Sequence, residues 1–370
     1  MTNSYLYGLE HATHNFSEER SFGKNIFTNA LPISLAMYLS DEMELEPGWV
    51  KAINSDNRLG IEHQTKPLSE IIGVAPEDAY WCFEEGFDGY NRYATGQVNN
   101  SDIVVKNRHT GKETSAFEVK LTVVPTSNTA HKAREEQSCE IVIRPPSIEQ
   151  LCFSIAAGYG PNRRHDIGDI IAKHLRFPMD YEWTNESYML DRLQFIVEAA
   201  EDIALSNIDN QRPFMLDAIW RTIGKSPALD EEAFDVFFWS DLAFLQFFTK
   251  STKTQIKNHE GRIGRPARST IWLIKALWDY ATQGKVTFER AHSAITFGGQ
   301  TDKAGAFTGA VSLEMVKCPR FVHPRIGREK YLDIVKPEGI RFLSPERRLD
   351  GVLVSQYEYQ YVALDANLSE

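Results

Sequence analysis

Within the segment 115–129, whose sequence is SAFEVKLTVVPTSNT, apolar and polar residues alternate from Phe117 to Val123. Such alternation is typical of a β-strand, in which successive side chains point to opposite faces. Glu118 and Lys120 lie two residues apart in this run, so an extended chain directs both side chains to the same face. A sheet with one solvated face has the same pattern, and a surface pair of charges is therefore the simplest interpretation.

A second strand-like run just upstream changes that interpretation. Residues 102–105 read DIVV, and the TGK of residues 110–112, between the two runs, is a turn signal because glycine readily adopts a positive φ. The two runs therefore predict an antiparallel hairpin. Such a hairpin brings Asp102, at the start of its first strand, next to Glu118 and Lys120 in the second.

Two carboxylates and a lysine in this arrangement have a specific chemical use. Paired carboxylates bind Mg²⁺ through hard oxygen ligands and leave positions for water and a phosphate oxygen. The metal activates the bound water and stabilises charge on the phosphate, while a nearby lysine orients the water or holds the phosphate. Asp102, Glu118 and Lys120 are therefore candidate catalytic residues, with Asp102 and Glu118 as the metal ligands.

The remaining apolar periodicity predicts elements around this hairpin. It predicts helices over 30–43, around 66–75, and over 147–160, 186–207, 231–249 and 269–285, and a third strand over 139–146. Ser147 is the expected N-cap of its helix, with Gln150 at the capping-box position and Gly158 at the end. Ser269 and Gly284 are the expected ends of the last helix. The order predicts an α/β (α+β) fold in which a mixed central sheet is flanked by helices and followed by a mainly helical C-terminal half.

The predicted helix over 231–249 is unusually rich in aromatic residues. Its large apolar side chains include Phe234, Phe237, Phe238, Trp239 and Phe248. These positions face too many directions for one amphipathic stripe, so the segment must be buried in the core or in a subunit interface.

The composition is that of a globular protein. Of 370 residues, 42% are hydrophobic and 25% are charged, which allows one large domain or two. No run approaches the roughly 18 apolar residues of a membrane span, and the N-terminus does not resemble a signal peptide. The four cysteines are widely spaced, as expected for reduced thiols in a cytoplasmic protein.

The net charge of −11 is unevenly distributed. Residues 195–241 contain ten acidic and three basic residues, whereas residues 250–275 contain seven basic residues and one acidic residue. A concentrated basic stretch allows an acidic protein to bind DNA locally.

The basic stretch contains the sequence GRIGRPARST just before a predicted helix. Glycines let a backbone approach a phosphate, a helix N-terminus favours anions, and arginine forks bind phosphate or guanine. The candidate DNA contacts are Lys257, Arg262, Arg265 and Arg268, with Arg163 and Arg164 as a further basic pair. The alternative is a solvated loop whose charges serve solubility.

Asp102, Glu118 and Lys120 resemble the catalytic constellation of the PD-(D/E)xK nucleases. The two carboxylates are 16 residues apart and no proline precedes Asp102, which departs from the name-giving form. The chain looks like a type II restriction endonuclease of the HindVP-type family, on the segments 7–39, 118–129 (EVKLTVVPTSNT) and 139–155. The first 160 residues would then be the catalytic core, and residues 161–370 would contribute DNA binding and dimerisation, as a separate region or continuous with the core.

The resemblance implies a homodimer that cuts a short palindromic DNA duplex with Mg²⁺, at a target of the GRCGYC kind. Three other functions fit the residues alone. A sequence-specific DNA-binding protein without catalysis would use only the basic stretch, and a structure-specific repair nuclease would use the same core. In an acidic structural protein, the Glu118–Lys120 pair would be an ordinary surface pair.

Overall fold

The structure is a computed structural model that describes about three fifths of the chain. The described residues are 33, 36, 37, 40, 44, 46–121, 137–143, 145–176, 182–217, 220–223, 226–229, 236–288, 294–297 and 307–312. The strands are β1 (Gly48–Ser55), β2 (Arg58–Thr65), β3 (Ala79–Glu85), β4 (Ser101–Asn107), β5 (Glu113–Phe117), β6 (Lys120–Leu121), β7 (Gln137–Ile143), β8 (Pro213–Asp217), β9 (Trp220–Ile223), β10 (Ser226–Leu229), β11 (Val236–Ser240) and β12 (Phe307–Ser312). The helices are α1 (Leu68–Ile72), α2 (Asp88–Asn91), α3 (Pro145–Tyr159), α4 (Arg164–Leu175), α5 (Glu186–Leu190), α6 (Leu193–Leu205), α7 (Asp241–Lys257) and α8 (Arg265–Gln283).

A five-stranded sheet joins strands from both halves of the sequence, in the order β2-β1-β11-β8-β6. The β1–β2 hairpin turns at Asp56 and Asn57, whose φ values of +53° and +61° suit a two-residue turn. β11 is parallel to β1 and antiparallel to β8, and β6 is parallel to β8. The mixed sheet with flanking helices confirms the predicted fold class.

β11 corrects the helix predicted over 231–249. Its sequence, VFFWS, is apolar on both faces, as expected for a strand that lies between two other strands. Phe238 and Trp239 are 0% and 1% exposed. The helix begins only at Asp241, where the Ser240 hydroxyl oxygen accepts a hydrogen bond from the Ala243 N–H at 2.9 Å and so caps α7.

The burial of these aromatic side chains also settles their role. Phe238, Trp239 and Phe248 lie in the core, so the core interpretation is correct for them and the interface interpretation is wrong. Phe234 and the side chain of Phe237 lie outside the described residues.

A three-stranded sheet in the order β3-β4-β5 contains the predicted hairpin. The Asn107 side chain accepts hydrogen bonds from the N–H groups of His109 and Thr110, both at 3.0 Å, and Gly111 has a φ of +69°. The hairpin could be predicted from local sequence because Asn107 and Gly111, which stabilise its turn, both lie within the turn segment. The predicted third strand forms as β7, which pairs with β12 and not with the hairpin.

One hydrophobic core contains residues of both the sheets and the longer helices. The helices that pack around it are α3, α4, α6, α7 and α8. The described residues of the segment 30–43 (33, 36, 37 and 40) are helical, and α1 confirms the prediction for 66–75. The single helix predicted over 186–207 forms as two helices, α5 and α6, which are separated by a turn at residues 191–192. No helix in the described part of the chain is long and apolar enough to cross a membrane.

Two helices begin earlier than predicted. α3 begins two residues before Ser147 and α8 four residues before Ser269, and prolines occupy the first turn of each. Proline is tolerated there because the first N–H groups of a helix have no intrahelical partner. The end of α8 at Gly284, with a φ of +78°, confirms its prediction, whereas α3 continues past Gly158 to Tyr159.

Two of the four cysteines lie among the described residues with described side chains. Cys82 and Cys152 are buried free thiols, and burial raises the pKa of Cys82 to about 12. Burial disfavours the thiolate form at both positions, and both thiols are free, in line with the expected reduced state. The side chain of Cys139 and the whole of Cys318 lie outside the described residues.

Candidate active site and DNA-contact residues

The candidate active site lies where the chain passes from one sheet to the other. β5 ends at Phe117, and the next strand, β6, begins at Lys120 in the five-stranded sheet. The single strand predicted through this region is therefore two short strands, and Glu118 lies at the junction between them. The side chain of Lys120 is outside the described part of the chain.

Asp102 and Glu118 are brought together by the β4–β5 pairing. The register joins Ile103 to Phe117, which places Asp102 beside Glu118 at the end of the hairpin. The N–H of Val119 donates a hydrogen bond to Asp102 Oδ2 at 2.7 Å. Asp102 is half-buried and Glu118 is only 9% exposed. The structure thus places the two acidic residues that the sequence selected opposite each other, where the β4–β5 pairing ends.

A third element, α3, also meets this site. The Ser147 hydroxyl, in the first turn of α3, donates to Glu118 Oε1 at 3.0 Å. Three residues further along the helix, Gln150 Nε2 donates to the carbonyl oxygen of Asn99 at 3.1 Å. The Ser101 hydroxyl donates to Gln150 Oε1 at 3.2 Å. The N-terminal turn of α3 is therefore bonded to both carboxylate-bearing segments.

The donor atoms fit a magnesium ion. Carboxylate oxygens are hard ligands, and Mg²⁺ in proteins is usually held by one or two carboxylates while it keeps several waters or substrate oxygens. Asp102 and Glu118 supply such a pair. Within the described ranges, no group of three or more His, Cys, Asp or Glu side chains is arranged around a common metal position. The two carboxylates are therefore residues that could hold a divalent metal ion.

The candidate DNA contacts before α8 are unequal in exposure. Lys257, Arg262 and Arg265 are exposed, whereas Arg268 is 6% exposed. Arg268 Nη1 donates to the carbonyl oxygen of Thr296 at 3.0 Å, and its guanidinium lies 5.1 Å from the Trp272 ring centroid. Burial lowers the pKa of Arg268. Its contacts join residues 294–297 to α8, so Arg268 does not present its guanidinium to solvent.

Gly264 in this stretch has a role other than the one expected. Its N–H donates to Gln255 Oε1 at 2.9 Å, and a Cβ on Gly264 would lie only 2.6 Å from that oxygen. Gln255 Nε2 also donates to the carbonyl oxygen of Arg262 at 2.9 Å. The N–H of Ile263 donates to Glu186 Oε1 at 2.9 Å. The loop backbone is thus held by protein side chains, and Gly264 makes room for Gln255.

The basic pair after α3 also divides into two kinds of residue. Arg163 Nε contacts Asp166 Oδ2 at 2.9 Å, and its guanidinium lies 5.1 Å from the Tyr159 ring centroid. Arg164 makes no ion pair among the described residues. Its Nη1 would be 2.7 Å from a Cβ on Gly284, so the two segments are in close contact there.

The sequence did not predict that α3 contacts the candidate site through Ser147. Ser147 was predicted to cap its own helix, because a serine three residues before a glutamine fits the capping-box pattern. The signal that was available is the pair of prolines before Ser147, which can themselves form the first helical positions. With the helix starting at Pro145, the Ser147 hydroxyl is available for another partner.

Comparison with known proteins gives a consistent picture along the whole chain. The family described as HindVP restriction endonuclease matches residues 22–360. The type II restriction enzyme HgiDI of Herpetosiphon aurantiacus is 33% identical over 354 residues, which cover 95% of each chain. The probable type II restriction enzyme HindVP of Haemophilus influenzae is 27% identical over 361 residues, covering 96% of this chain and 94% of that protein. No solved structure gives a significant match. The chain therefore belongs to the HindVP restriction endonuclease family.

Proposed function

We propose that this protein is a sequence-specific endonuclease that hydrolyses phosphodiester bonds in double-stranded DNA, as part of a restriction–modification system in the cytoplasm. Its target is a short palindrome of the GRCGYC kind. Family membership supports the reaction class. The observation that carries the site assignment is the meeting of Asp102 and Glu118 at the end of the β4–β5 hairpin.

Each residue of the site has a separate role in this proposal. Asp102 and Glu118 would hold Mg²⁺, and the bound ion would supply an activated water and stabilise charge on the phosphate. The Val119 N–H fixes one oxygen of Asp102, so the direction of that carboxylate is set by the backbone. Lys120 orients the attacking water or holds the phosphate as a point charge.

The exposed cations hold the duplex. Lys257, Arg262 and Arg265 lie at the end of α7, in the connection and at the start of α8, where guanidinium and ammonium groups can meet phosphates. Arg163 and Arg164 form a second group at the start of α4. Arg268 acts indirectly, since its guanidinium is buried against Trp272.

We further propose a homodimer, because a palindromic target presents two equivalent strands related by a two-fold axis. Each subunit would then place one Asp102, Glu118 and Lys120 site at one strand. The interface does not include Phe238, Trp239 or Phe248, which are buried within one chain.

The decisive experiment is cleavage of phage DNA by single-residue variants. The wild type should give discrete bands with Mg²⁺, while Ca²⁺ should support binding without cleavage. Asp102→Ala, Glu118→Ala and Lys120→Ala should each lower the cleavage rate by several orders of magnitude, because each removes a metal ligand or the water-orienting group. Near-wild-type cutting by any of the three would remove that residue from the site.

Glu113→Ala provides a matched control. Glu113 lies on β5 at the far end of the same hairpin, where its carboxylate accepts a hydrogen bond from the Asp88 N–H at 2.8 Å. Its loss should lower thermal stability and leave discrete Mg²⁺-dependent bands. Loss of cutting in Glu113→Ala, together with a folded protein, would contradict the assignment of catalysis to the Glu118 end of the hairpin.

A further inference from the structure

Ser147 is a buried donor whose partner is a candidate metal ligand. Its side chain is 0% exposed, and its hydroxyl donates to Glu118 Oε1 at 3.0 Å. A hydrogen bond to a charged oxygen is stronger than one between neutral groups, and low local polarity strengthens it further. The bond therefore restrains the rotation of the Glu118 carboxyl group about its own side-chain axis.

The helix that carries Ser147 is itself fixed to the strand that carries Asp102. Gln150 bonds both the carbonyl oxygen of Asn99 and the hydroxyl of Ser101, and the Asn99 side chain donates to Glu149. Ser101 directly precedes Asp102 in the sequence. The first turns of α3 thus tie the position of Glu118 to the position of Asp102.

We infer that Ser147 is a positioning residue for Glu118, which sets the direction of its carboxylate towards the metal and towards Asp102. This inference rests on the proposed function, since it needs Glu118 to be a ligand. Groups that orient metal ligands in this way typically change metal affinity or activity by about 10- to 100-fold when they are removed. A serine that merely satisfied a buried polar site would affect stability and leave metal dependence unchanged.

Ser154 serves as a control that separates a positioning role of a buried serine from a purely structural one. It lies two turns further along the same helix, is also buried, and donates to Asp241 Oδ2 at 2.6 Å. Asp241 is far from the candidate metal ligands in sequence and begins α7. Ser154→Ala therefore removes the same group from the same helix, again from a bond to a buried carboxyl group, without touching Glu118.

The test compares Ser147→Ala, Ser147→Thr and Ser154→Ala in the full-length protein. Two titrations are measured on a duplex that contains a site cut by the wild type. One is the Mg²⁺ concentration for half-maximal cleavage, and the other is the Ca²⁺ concentration for half-maximal DNA binding. Thermal unfolding of each variant is measured in parallel.

Ser147→Ala should raise both metal midpoints by about 10- to 100-fold. Ser147→Thr keeps the hydroxyl and should restore both midpoints to near the wild-type values. Ser154→Ala should lower the unfolding temperature and keep both metal midpoints within about twofold of the wild type. If Ser147→Thr does not fold, the contrast between Ser147→Ala and Ser154→Ala still decides the question.

Two outcomes separate this inference from the proposed function. If Glu118→Ala abolishes cleavage but Ser147→Ala leaves both metal midpoints unchanged, the positioning role is wrong and the proposed site stands. If Glu118→Ala itself cuts normally, the proposed site fails and the role of Ser147 fails with it. Equal shifts of the midpoints in Ser147→Ala and Ser154→Ala would also overturn the positioning role, because they would show a general effect of loosening α3.

Discussion

Arg163 and Arg164 are neighbouring residues of the same type that differ in their contacts. Arg163 is bound to Asp166 and lies over Tyr159, whereas Arg164 has no ion pair among the described residues. Each phosphate that a protein neutralises releases condensed counterions from DNA, and this makes binding depend on salt. An arginine already paired with a carboxylate contributes less to such a contact than one without a partner.

Arg164→Ala should therefore weaken DNA binding at every sequence and reduce the log–log salt slope by about one. Arg163→Ala should change the slope by clearly less than one. Both variants lose one positive charge, so they are matched in net charge. Binding is measured with Ca²⁺ over a series of KCl concentrations. Equal slopes for both variants and the wild type would show that the duplex is held elsewhere.

At the scale of elements, the Gln255 side chain makes two of the hydrogen bonds that hold the connection between α7 and α8. Gln255 bonds to the N–H of Gly264 and to the carbonyl oxygen of Arg262, and it is 5% exposed. A buried amide that spans a loop in this way fixes where α8 begins. Arg262 and Arg265, on either side of Gly264, are positioned by the same bonds.

Gly264→Ala should displace the Gln255 side chain, because the new Cβ would lie 2.6 Å from Gln255 Oε1. The expected loss in the free energy of unfolding is about 1–3 kcal/mol, from two hydrogen bonds and a local clash. Gly261→Ala is the matched control in the same loop. A Cβ there meets nothing within 4 Å, and the change should stay within about 0.5 kcal/mol. Chemical denaturation measures both, and equal stability of the two variants would refute this role for Gln255.

The elements that could be predicted from sequence are those held together locally. The β4–β5 hairpin was predicted because its turn residues and both strands lie within about 20 residues, and its meeting of Asp102 with Glu118 followed from that. β11 was missed because the sequence alone does not show that it lies between β1 and β8, of which β1 is more than 180 residues away along the chain. Ser147 was misassigned for a related reason, since its partner Glu118 belongs to another element.

At the scale of the whole molecule, the proposed palindromic target requires two copies of the site. Sedimentation of the protein at micromolar concentration should therefore give twice the monomer mass. The Glu118→Ala variant should sediment as the same oligomer, because the proposal gives this carboxylate a role in the site and none in assembly. A monomer at this concentration with full cutting activity would contradict the homodimer.

The order of strands in the five-stranded sheet also determines when this sheet can form during synthesis of the chain. β6, which begins at Lys120, has β8 as its described neighbour, and β8 in turn pairs with β11. Pairings between distant segments form late, since the entropy of closing the intervening loop must be overcome first. At ribosomal rates of about 5–20 residues per second, the chain between β6 and β11 takes on the order of ten seconds to appear. A nascent chain that has already exposed Asp102, Glu118 and Lys120 thus still lacks the sheet that supports Lys120. If Lys120 has its proposed role, a chain that ends before β8 should therefore fail to cleave DNA, although it contains all three proposed site residues.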